Sequence, residues 1–202
     1  MCLIITSPNG RIPRTHLTTA LCNNPDGWGF AVSTGRSIWI RRGLHSFEFW
    51  PNWIRRPRGS VVFHSRIRTH GALSIDNCQP LLITPTLALA HNGIIENDLQ
   101  DEILSDTRVF IRNILSKPVR NNLLHPSIQH LILRYIGSSK LVFFTRRSVI
   151  WITNQELGKT EKSRWYSNQS FKPRSPIVIT DITSLNDDRR IPTYYQRLMT
   201  KY

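Results

Sequence analysis

The sequence predicts an α+β protein in which helices cover antiparallel sheets. Three observations support this fold class. Short apolar, β-branched runs bounded by turn residues recur along the chain, and two pairs of them form hairpins. Two predicted helices, one indicated by a capping residue and one by a helical period, follow the first group of strands as a block, so strands and helices do not alternate. The 202 residues are 40 % apolar and contain no repeat or linker, which favours one domain over 1–202.

The first strands are predicted in the N-terminal quarter. Residues 3–6 are β-branched and apolar, whereas 7–26 are rich in turn residues and are predicted to form a long loop. Residues 27–33 and 37–41 form two strands around a short glycine turn, so they predict a hairpin. The aromatic-rich stretch 44–56 is compatible with a short helix or a lid, limited by its prolines.

The next predicted strands each end in polar residues. Residues 60–66 form a strand that enters the polar loop 67–71, and 81–84 and 86–90 form two more strands. The last of these ends at Asn92-Gly93, the dipeptide with the strongest tight-turn preference.

Residues 105–115 and 126–136 are predicted as helices, and 140–145 with 148–153 as a hairpin. A last strand is predicted over 177–180 and a last helix over 192–202. Ser105 or Asp106 is expected to cap the first of these helices. Residues 154–175 are predicted as loop, apart from 165–168.

The charge balance favours anionic partners. Twenty-seven Lys and Arg against thirteen Asp and Glu give a net charge of +14, which suits nucleic acid, an acidic protein or a membrane surface. A basic protein without such a partner is the plainer alternative, because the arginines are scattered and no aromatic-interleaved motif accompanies them. No apolar run approaches the ~20 residues of a membrane span, and no signal-peptide pattern is present, so we expect a cytoplasmic protein without membrane association.

The cysteines exclude two kinds of site. Cys2, Cys22 and Cys78 are odd in number, which argues against a disulfide framework and for a reducing compartment. No CxxC pair is present, so the sequence gives no structural zinc site, and we expect neither metal nor cofactor.

Cys2 has a special chemical option because it directly follows the initiator methionine. Once that methionine is removed, Cys2 carries a thiol and a free α-amine, whose reference pKa is roughly 7.7–8.0. The amine is then able to take the proton of the neighbouring thiol, so one residue supplies nucleophile and base. The alternative is an ordinary buried cysteine in an N-terminal strand.

Three polar groups at predicted strand and helix ends complete what acyl transfer from an amino-acid amide requires. Asn92 and the Gly93 N–H suit an oxyanion hole. The Arg66 fork suits an α-carboxylate, and Asp106 suits an α-ammonium. Each has a plainer interpretation: a tight turn, a surface arginine and a helix cap.

In this order the motifs resemble those of the class II glutamine amidotransferases, members of the N-terminal-nucleophile hydrolase superfamily. The resemblance covers residues 1–116 and rests on Met-Cys, Asp-Gly, His-x-Arg-x-x-Thr-His-Gly, Asn-x-Gln-Pro, His-Asn-Gly and Ser-Asp-Thr, at 1–2, 26–27, 64–71, 77–80, 91–93 and 105–107. Residues 165–168 resemble a strand of compact, stand-alone members, including phage-encoded ones.

The resemblance implies a four-layer αββα sandwich and a set of site roles. Cys2 would be the nucleophile, with Asn92 and Gly93 as the oxyanion hole. Arg66 would bind the glutamine α-carboxylate and Asp106 the α-ammonium. Two further residues would line the substrate pocket, Thr69 and His70.

The resemblance predicts a stand-alone glutaminase domain that hydrolyses L-glutamine and supplies ammonia to a separate synthetase or acceptor enzyme, in the host cytoplasm if the protein is phage-encoded. Two alternatives stay open. One is an inactive scaffold whose basic surface binds nucleic acid or an acidic protein. The other is an N-terminal-cysteine amidohydrolase with a different amide substrate, against which the Arg66 and Asp106 charges argue.

Overall fold

A computed structural model describes residues 2–96 and 102–173. The strands of these residues are β1 (Leu3–Ser7), β2 (Trp28–Ser33), β3 (Ile38–Gly43), β4 (Ser60–Ser65), β5 (Leu81–Thr84), β6 (Leu87–Asn92), β7 (Lys140–Thr145), β8 (Val149–Ile152), β9 (Lys159–Glu161) and β10 (Arg164–Tyr166). Their α-helices are α1 (Arg14–Asn23), α2 (Phe49–Ile54), α3 (Asp106–Asn113), α4 (Lys117–Asn121) and α5 (Pro126–Ile136).

The strands form two antiparallel sheets. The larger sheet has the order β3-β2-β4-β1-β10-β9, and the smaller sheet has the order β5-β6-β7-β8. Within the larger sheet Leu3 pairs with Ser65, so the start of β1 lies beside the end of β4. This register places residue 2 next to the loop that leaves β4.

Three buried clusters show how the elements stack. One joins the outer face of the larger sheet to α1 and α2, and includes Leu17, Phe30 and Phe49. Another lies between the two sheets, and the third joins the smaller sheet to α3 and α5. The order of layers is therefore helices, sheet, sheet, helices, which confirms the α+β class and the αββα sandwich.

The structure corrects the loop predicted over 7–26, which contains α1. Only three side chains of this helix are buried, Leu17, Ala20 and Leu21. They recur at helical spacing and pack against the larger sheet, but the threonines and polar residues between them hide the period in the sequence. Tertiary packing, rather than a strong local pattern, fixes this helix.

Smaller corrections concern the second half of the chain. The stretch 154–175 contains β9 as well as β10, and the sequence pattern does not predict the short α4. The stretch 44–56 holds α2 after a 3₁₀ turn. The predicted hairpins and the helix over 126–136 are confirmed. The strand predicted over 177–180 and the helix predicted over 192–202 lie outside the described residues.

Candidate active site

Cys2 lies at the start of β1 and is held from two sides. Its thiol donates a hydrogen bond to the Ile67 carbonyl oxygen at 3.3 Å. Its own carbonyl oxygen accepts a hydrogen bond from the Asn168 amide at 2.6 Å. Burial by the surrounding protein raises the pKa of the thiol, so an unassisted Cys2 stays protonated near neutral pH.

Two opposite charges act on this thiol. The positive charge of Arg66 lowers the pKa of Cys2, and the negative charge of Asp106 raises it. Among the described residues neither side chain makes a hydrogen bond to the sulfur, so both act on the thiol through their charge alone. The register of β1 and β4 places Cys2 beside Arg66, and the Asp106 carboxylate contacts the turn after β6.

Arg66 is almost fully buried, at 4 % exposure, and its guanidinium anchors the loop that follows β4. It donates hydrogen bonds to the carbonyl oxygens of His70, at 3.0 Å, and Ala72, at 3.3 Å. A guanidinium has five N–H donors, so three of them are not used by these bonds.

Thr69 and His70 lie on the exposed part of the same loop. His70 contributes its backbone carbonyl to Arg66. Within residues 2–96 and 102–173, neither side chain makes a hydrogen bond, so their predicted role in lining a substrate pocket stays a prediction.

Asp106 is the first residue of α3, directly after the helix cap. The Ser105 hydroxyl accepts a hydrogen bond from the Arg108 N–H at 3.4 Å, which confirms the predicted cap. The Asp106 carboxylate accepts from the N–H groups of Ile95, at 3.0 Å, and Thr107, at 2.7 Å. These bonds orient the carboxylate and tie α3 to the turn after β6.

Asn92 is the last residue of β6 and is 2 % exposed. Its amide nitrogen donates to the Ser167 hydroxyl at 2.7 Å, and the same hydroxyl accepts from the Ile4 N–H at 2.8 Å. Ser167 therefore connects Asn92 to the strand that begins next to Cys2. An amide nitrogen carries two hydrogens, and this contact uses one of them.

Gly93 continues the chain in a conformation that only glycine adopts easily. Its φ is +145°, and a Cβ at this position would overlap the side chain and backbone of Ser139. The Ser139 hydroxyl donates to the Ile94 carbonyl oxygen at 2.9 Å, which holds the following peptide. The sequence pattern predicts the turn, but not the serine that packs against it.

Two polar side chains of the Asn-x-Gln-Pro step hold these loops together. Asn77 donates to the Ala72 and Ile103 carbonyl oxygens and accepts from the Ser105 N–H at 3.0 Å. Gln79 accepts from the His91 N–H at 2.6 Å and donates to the Thr107 hydroxyl at 3.0 Å. Both side chains thus position neighbours of Arg66, Asn92 and Asp106.

The buried histidines are neutral. Complete burial lowers the pKa of His64 to about 3, and its Nε2 donates to the His91 carbonyl oxygen at 3.2 Å. Burial also lowers the pKa of His91, whose Nδ1 lies 2.9 Å from the Thr107 hydroxyl. Neither imidazole is a strong base in this environment.

Several residues support the site although the sequence patterns gave them no role in it. They are Asn77, Gln79, Thr107, Ser139, Ser167 and Asn168. All of them except Ser139 belong to the motifs over 77–80, 105–107 and 165–168, so a signal was present in the sequence.

Two kinds of feature are absent from the described residues. In this part of the chain, no group of three His, Cys, Asp or Glu side chains is arranged to hold a metal ion. Among the same residues, no helix offers the apolar length that a bilayer crossing requires.

The fold is shared with two solved structures. The chain is similar to glutamine phosphoribosylpyrophosphate amidotransferase from B. subtilis complexed with ADP and GMP, with a TM-score of 0.56 and 15 % identity over 82 % of this chain and 41 % of that chain. It is also similar to a structure described as the allosteric regulatory enzyme of purine biosynthesis, with a TM-score of 0.58, 17 % identity and the same coverages.

These likenesses show the fold. The chain spans about two fifths of the length of the solved chains that it matches, since 41 % of each is covered. No family model matches this chain, and no curated protein does. The αββα sandwich is therefore a fold that this chain shares with the two solved chains, at a level of identity where activity has to be argued from the residues.

Proposed function

We propose that this chain is a glutaminase domain that hydrolyses the side-chain amide of L-glutamine and releases ammonia. The observation that carries the proposal is that the Cys2 thiol donates a hydrogen bond to the carbonyl oxygen of Ile67, the residue that follows the buried Arg66. Arg66 and Asp106 both act on the Cys2 thiol. A free amino acid carries a carboxylate and an ammonium on one carbon, so a buried guanidinium and a partly exposed carboxylate that both influence the nucleophile suit such a substrate.

The nucleophile needs a base, because burial raises the pKa of the Cys2 thiol. His64, with a pKa of about 3, is too weak a base for this thiol. Removal of the initiator methionine would give Cys2 a free α-amine with a pKa of roughly 7.7–8.0, which is matched to neutral pH. The amine of Cys2 is therefore the proposed general base.

The reaction proceeds in two balanced steps. The sulfur bonds to the glutamine Cδ while the α-amine takes the thiol proton, and collapse of the tetrahedral intermediate breaks the C–N bond. The amine returns its proton to the leaving nitrogen, which departs as ammonia. Water then attacks the thioester, and glutamate leaves as the Cys2 thiol re-forms.

Asn92 and Gly93 supply the proposed oxyanion hole. The second hydrogen of the Asn92 amide and the Gly93 N–H are the donors, and Ser167 and Ser139 hold the two residues in place.

The remaining proposed roles concern the substrate and the product. Arg66 would bind the α-carboxylate with its remaining N–H groups, and Asp106 would bind the α-ammonium. Thr69 and His70 would line the exposed side of the substrate. The ammonia would pass to a separate acceptor enzyme.

The decisive experiment compares three proteins: the unmodified chain, Cys2→Ala and Cys22→Ala. Intact mass spectrometry first establishes that the initiator methionine is absent, and glutamate release from glutamine is then measured. Cys22 is a second free cysteine, exposed on α1, so its replacement controls for general thiol effects. We expect Cys22→Ala to retain full activity and Cys2→Ala to lose it, and equal activity of all three would contradict the proposal.

A second experiment tests the substrate charges. Arg66→Lys keeps one cation but loses the fork, so we expect the KM for glutamine to rise at least about tenfold, because charge-assisted bidentate contacts are among the strong ones. Arg68→Ala is the matched control, since Arg68 is exposed on the same loop. An unchanged KM in Arg66→Lys would point to a different amide substrate.

A catalytically inactive scaffold is the second candidate, and one observation favours it. The Asn92 amide, the Arg66 guanidinium and the Asp106 carboxylate each already bond to groups of the protein. If the methionine-free protein releases no glutamate and is not labelled at Cys2 by a thiol-reactive electrophile, the scaffold is the correct description.

A further inference from the structure

A basic and aromatic surface lies on the outer side of the larger sheet and its helices α1 and α2. It includes none of the residues assigned to the Cys2 site. Three arginine guanidiniums stack on three tryptophan rings: Arg14 on Trp50 at 4.7 Å, Arg41 on Trp39 at 4.3 Å, and Arg56 on Trp53 at 3.7 Å from the ring centres. All three indoles pack on the cluster that joins α1 and α2 to the larger sheet. The three stacks therefore surround one buried cluster, two from the helical layer and one from β3, and form the arginine–tryptophan face.

The positive charge of this face is not neutralised locally. Between residues 36 and 58 the chain has six arginines, at 36, 41, 42, 55, 56 and 58, against a single acidic residue, Glu48. In the part of the chain that the structure describes, the ion pairs involve other residues, at 76, 108, 159, 161 and 172. This local excess of positive charge favours a polyanionic partner.

Exposed apolar side chains accompany these cations. Phe47 is 75 % exposed with its ring parallel to His45 at 5.4 Å, and Ile54 at the end of α2 is also 75 % exposed. A guanidinium that lies over an indole leaves its other side open to a base, and those of its N–H groups without a protein partner are able to bind a phosphate. Arg56 already uses two N–H groups on backbone carbonyls, so Arg14 and Arg41 are the phosphate-binding candidates. A duplex offers only phosphates to such a surface, whereas a single strand also offers unstacked bases.

We propose that the arginine–tryptophan face binds single-stranded nucleic acid. Phosphates contact the guanidinium edges of Arg14 and Arg41, and bases stack on the Phe47 ring and on the arginine planes. An acidic protein would use the charges but would leave the exposed ring without a planar partner. The proposal is independent of glutamine hydrolysis, because it uses none of the residues assigned to that reaction.

The test is fluorescence anisotropy with a labelled oligothymidylate of about 20 nucleotides, a length that exceeds a typical single-strand site, over a series of salt concentrations. The charge variant combines Arg14→Ala with Arg41→Ala, and the stacking variant is Phe47→Ser. The matched control combines Lys117→Ala with Arg134→Ala, which removes two exposed charges from the helical layer on the other side of the molecule. Circular dichroism confirms that each variant is folded.

We expect the charge variant to weaken binding and to flatten the log–log salt dependence by about 0.7 for each phosphate that the protein no longer neutralises. Phe47→Ser should weaken binding about fivefold or more without changing that slope, because stacking releases no counterions. The control should bind within about twofold of the unmodified chain, since its two charges lie outside the proposed face.

Three results would overturn the proposal. One is the absence of oligothymidylate binding at low salt. Another is duplex binding as tight as single-strand binding with no effect of Phe47→Ser, which would indicate a general polyanion surface. The third is displacement of the oligonucleotide by polyglutamate at lower charge concentration than by unlabelled oligothymidylate, which would indicate an acidic protein partner.

Discussion

The two faces of the larger sheet are built from different side chains. Its outer face packs aromatic rings against α1 and α2, and Phe49 contacts the rings of Trp28, Phe30 and Phe63 at 5.3–5.9 Å between centres. Its inner face carries mainly aliphatic residues and one indole, Trp165, toward the smaller sheet, but ends near Cys2 in buried polar groups. The outer face therefore contributes apolar burial, and the end of the inner face near Cys2 contributes hydrogen bonds.

This difference predicts a separation of effects. Large apolar side chains stabilise through area and close packing, so their loss changes the free energy of unfolding. Buried polar groups contribute little net stability when satisfied, but they fix positions. Substitutions on the outer face should therefore change stability with little effect on catalysis, and substitutions at the polar end should do the reverse.

The largest expected effect on stability is on the outer face. Phe49→Ala removes a fully buried ring and should lower the free energy of unfolding by about 3–5 kcal/mol. Urea unfolding measures this loss, and the kcat of the folded protein at low temperature should stay unchanged. Phe49→Leu serves as a milder variant if Phe49→Ala does not fold. A fall in kcat in Phe49→Leu would show that the two faces are not separate.

At the polar end, Asn92→Ala should lower the kcat for glutamine about 100- to 1,000-fold, because it removes a proposed oxyanion donor. Its effect on unfolding should be smaller than that of Phe49→Ala. Asn122→Ala is the control, since Asn122 is exposed after α4. If Asn92→Ala lowers stability as much as Phe49→Ala and leaves kcat intact, Asn92 has a structural role alone.

Particular residues show how far the sequence predicts this arrangement. The strands and the Ser105 cap follow from local patterns, because alternation and capping depend on neighbours a few positions apart. The Asn168 amide that holds the Cys2 carbonyl is 166 positions away, and no local pattern carries such a contact. The turn at Gly93 is predicted because it depends on adjacent residues. The packing of Gly93 against Ser139 is not, because the two residues are brought together only by the fold.

His64 sharpens the comparison through pH. Its folded pKa of about 3 lies below the reference value of 6.5, so the unfolded chain binds the proton more readily. The contribution of neutral His64 to the free energy of unfolding is therefore fully present above about pH 6.5 and is lost as the pH falls toward 3. The loss between pH 8 and pH 5 is about 2 kcal/mol. Urea unfolding at the two pH values measures it.

His64→Gln is the matching variant, because the glutamine amide is able to donate to the same carbonyl oxygen. The stability of this variant should change less between pH 8 and pH 5 than that of the unmodified chain. Equal pH dependence in both proteins would show that His64 is not buried in its neutral form, and that other groups cause the acid sensitivity.

The smallest expected effect compares two serines that precede helices. Ser105 caps α3 through its hydroxyl, whereas the Ser116 side chain makes no capping hydrogen bond to α4. Ser105→Ala should cost about 1 kcal/mol of stability and Ser116→Ala close to none. Because α3 begins with Asp106, Ser105→Ala should also raise the KM for glutamine. An unchanged KM in Ser105→Ala, or a raised KM in Ser116→Ala, would contradict a role of the Asp106 carboxylate in binding the substrate. The start of α3 would then have a structural role only.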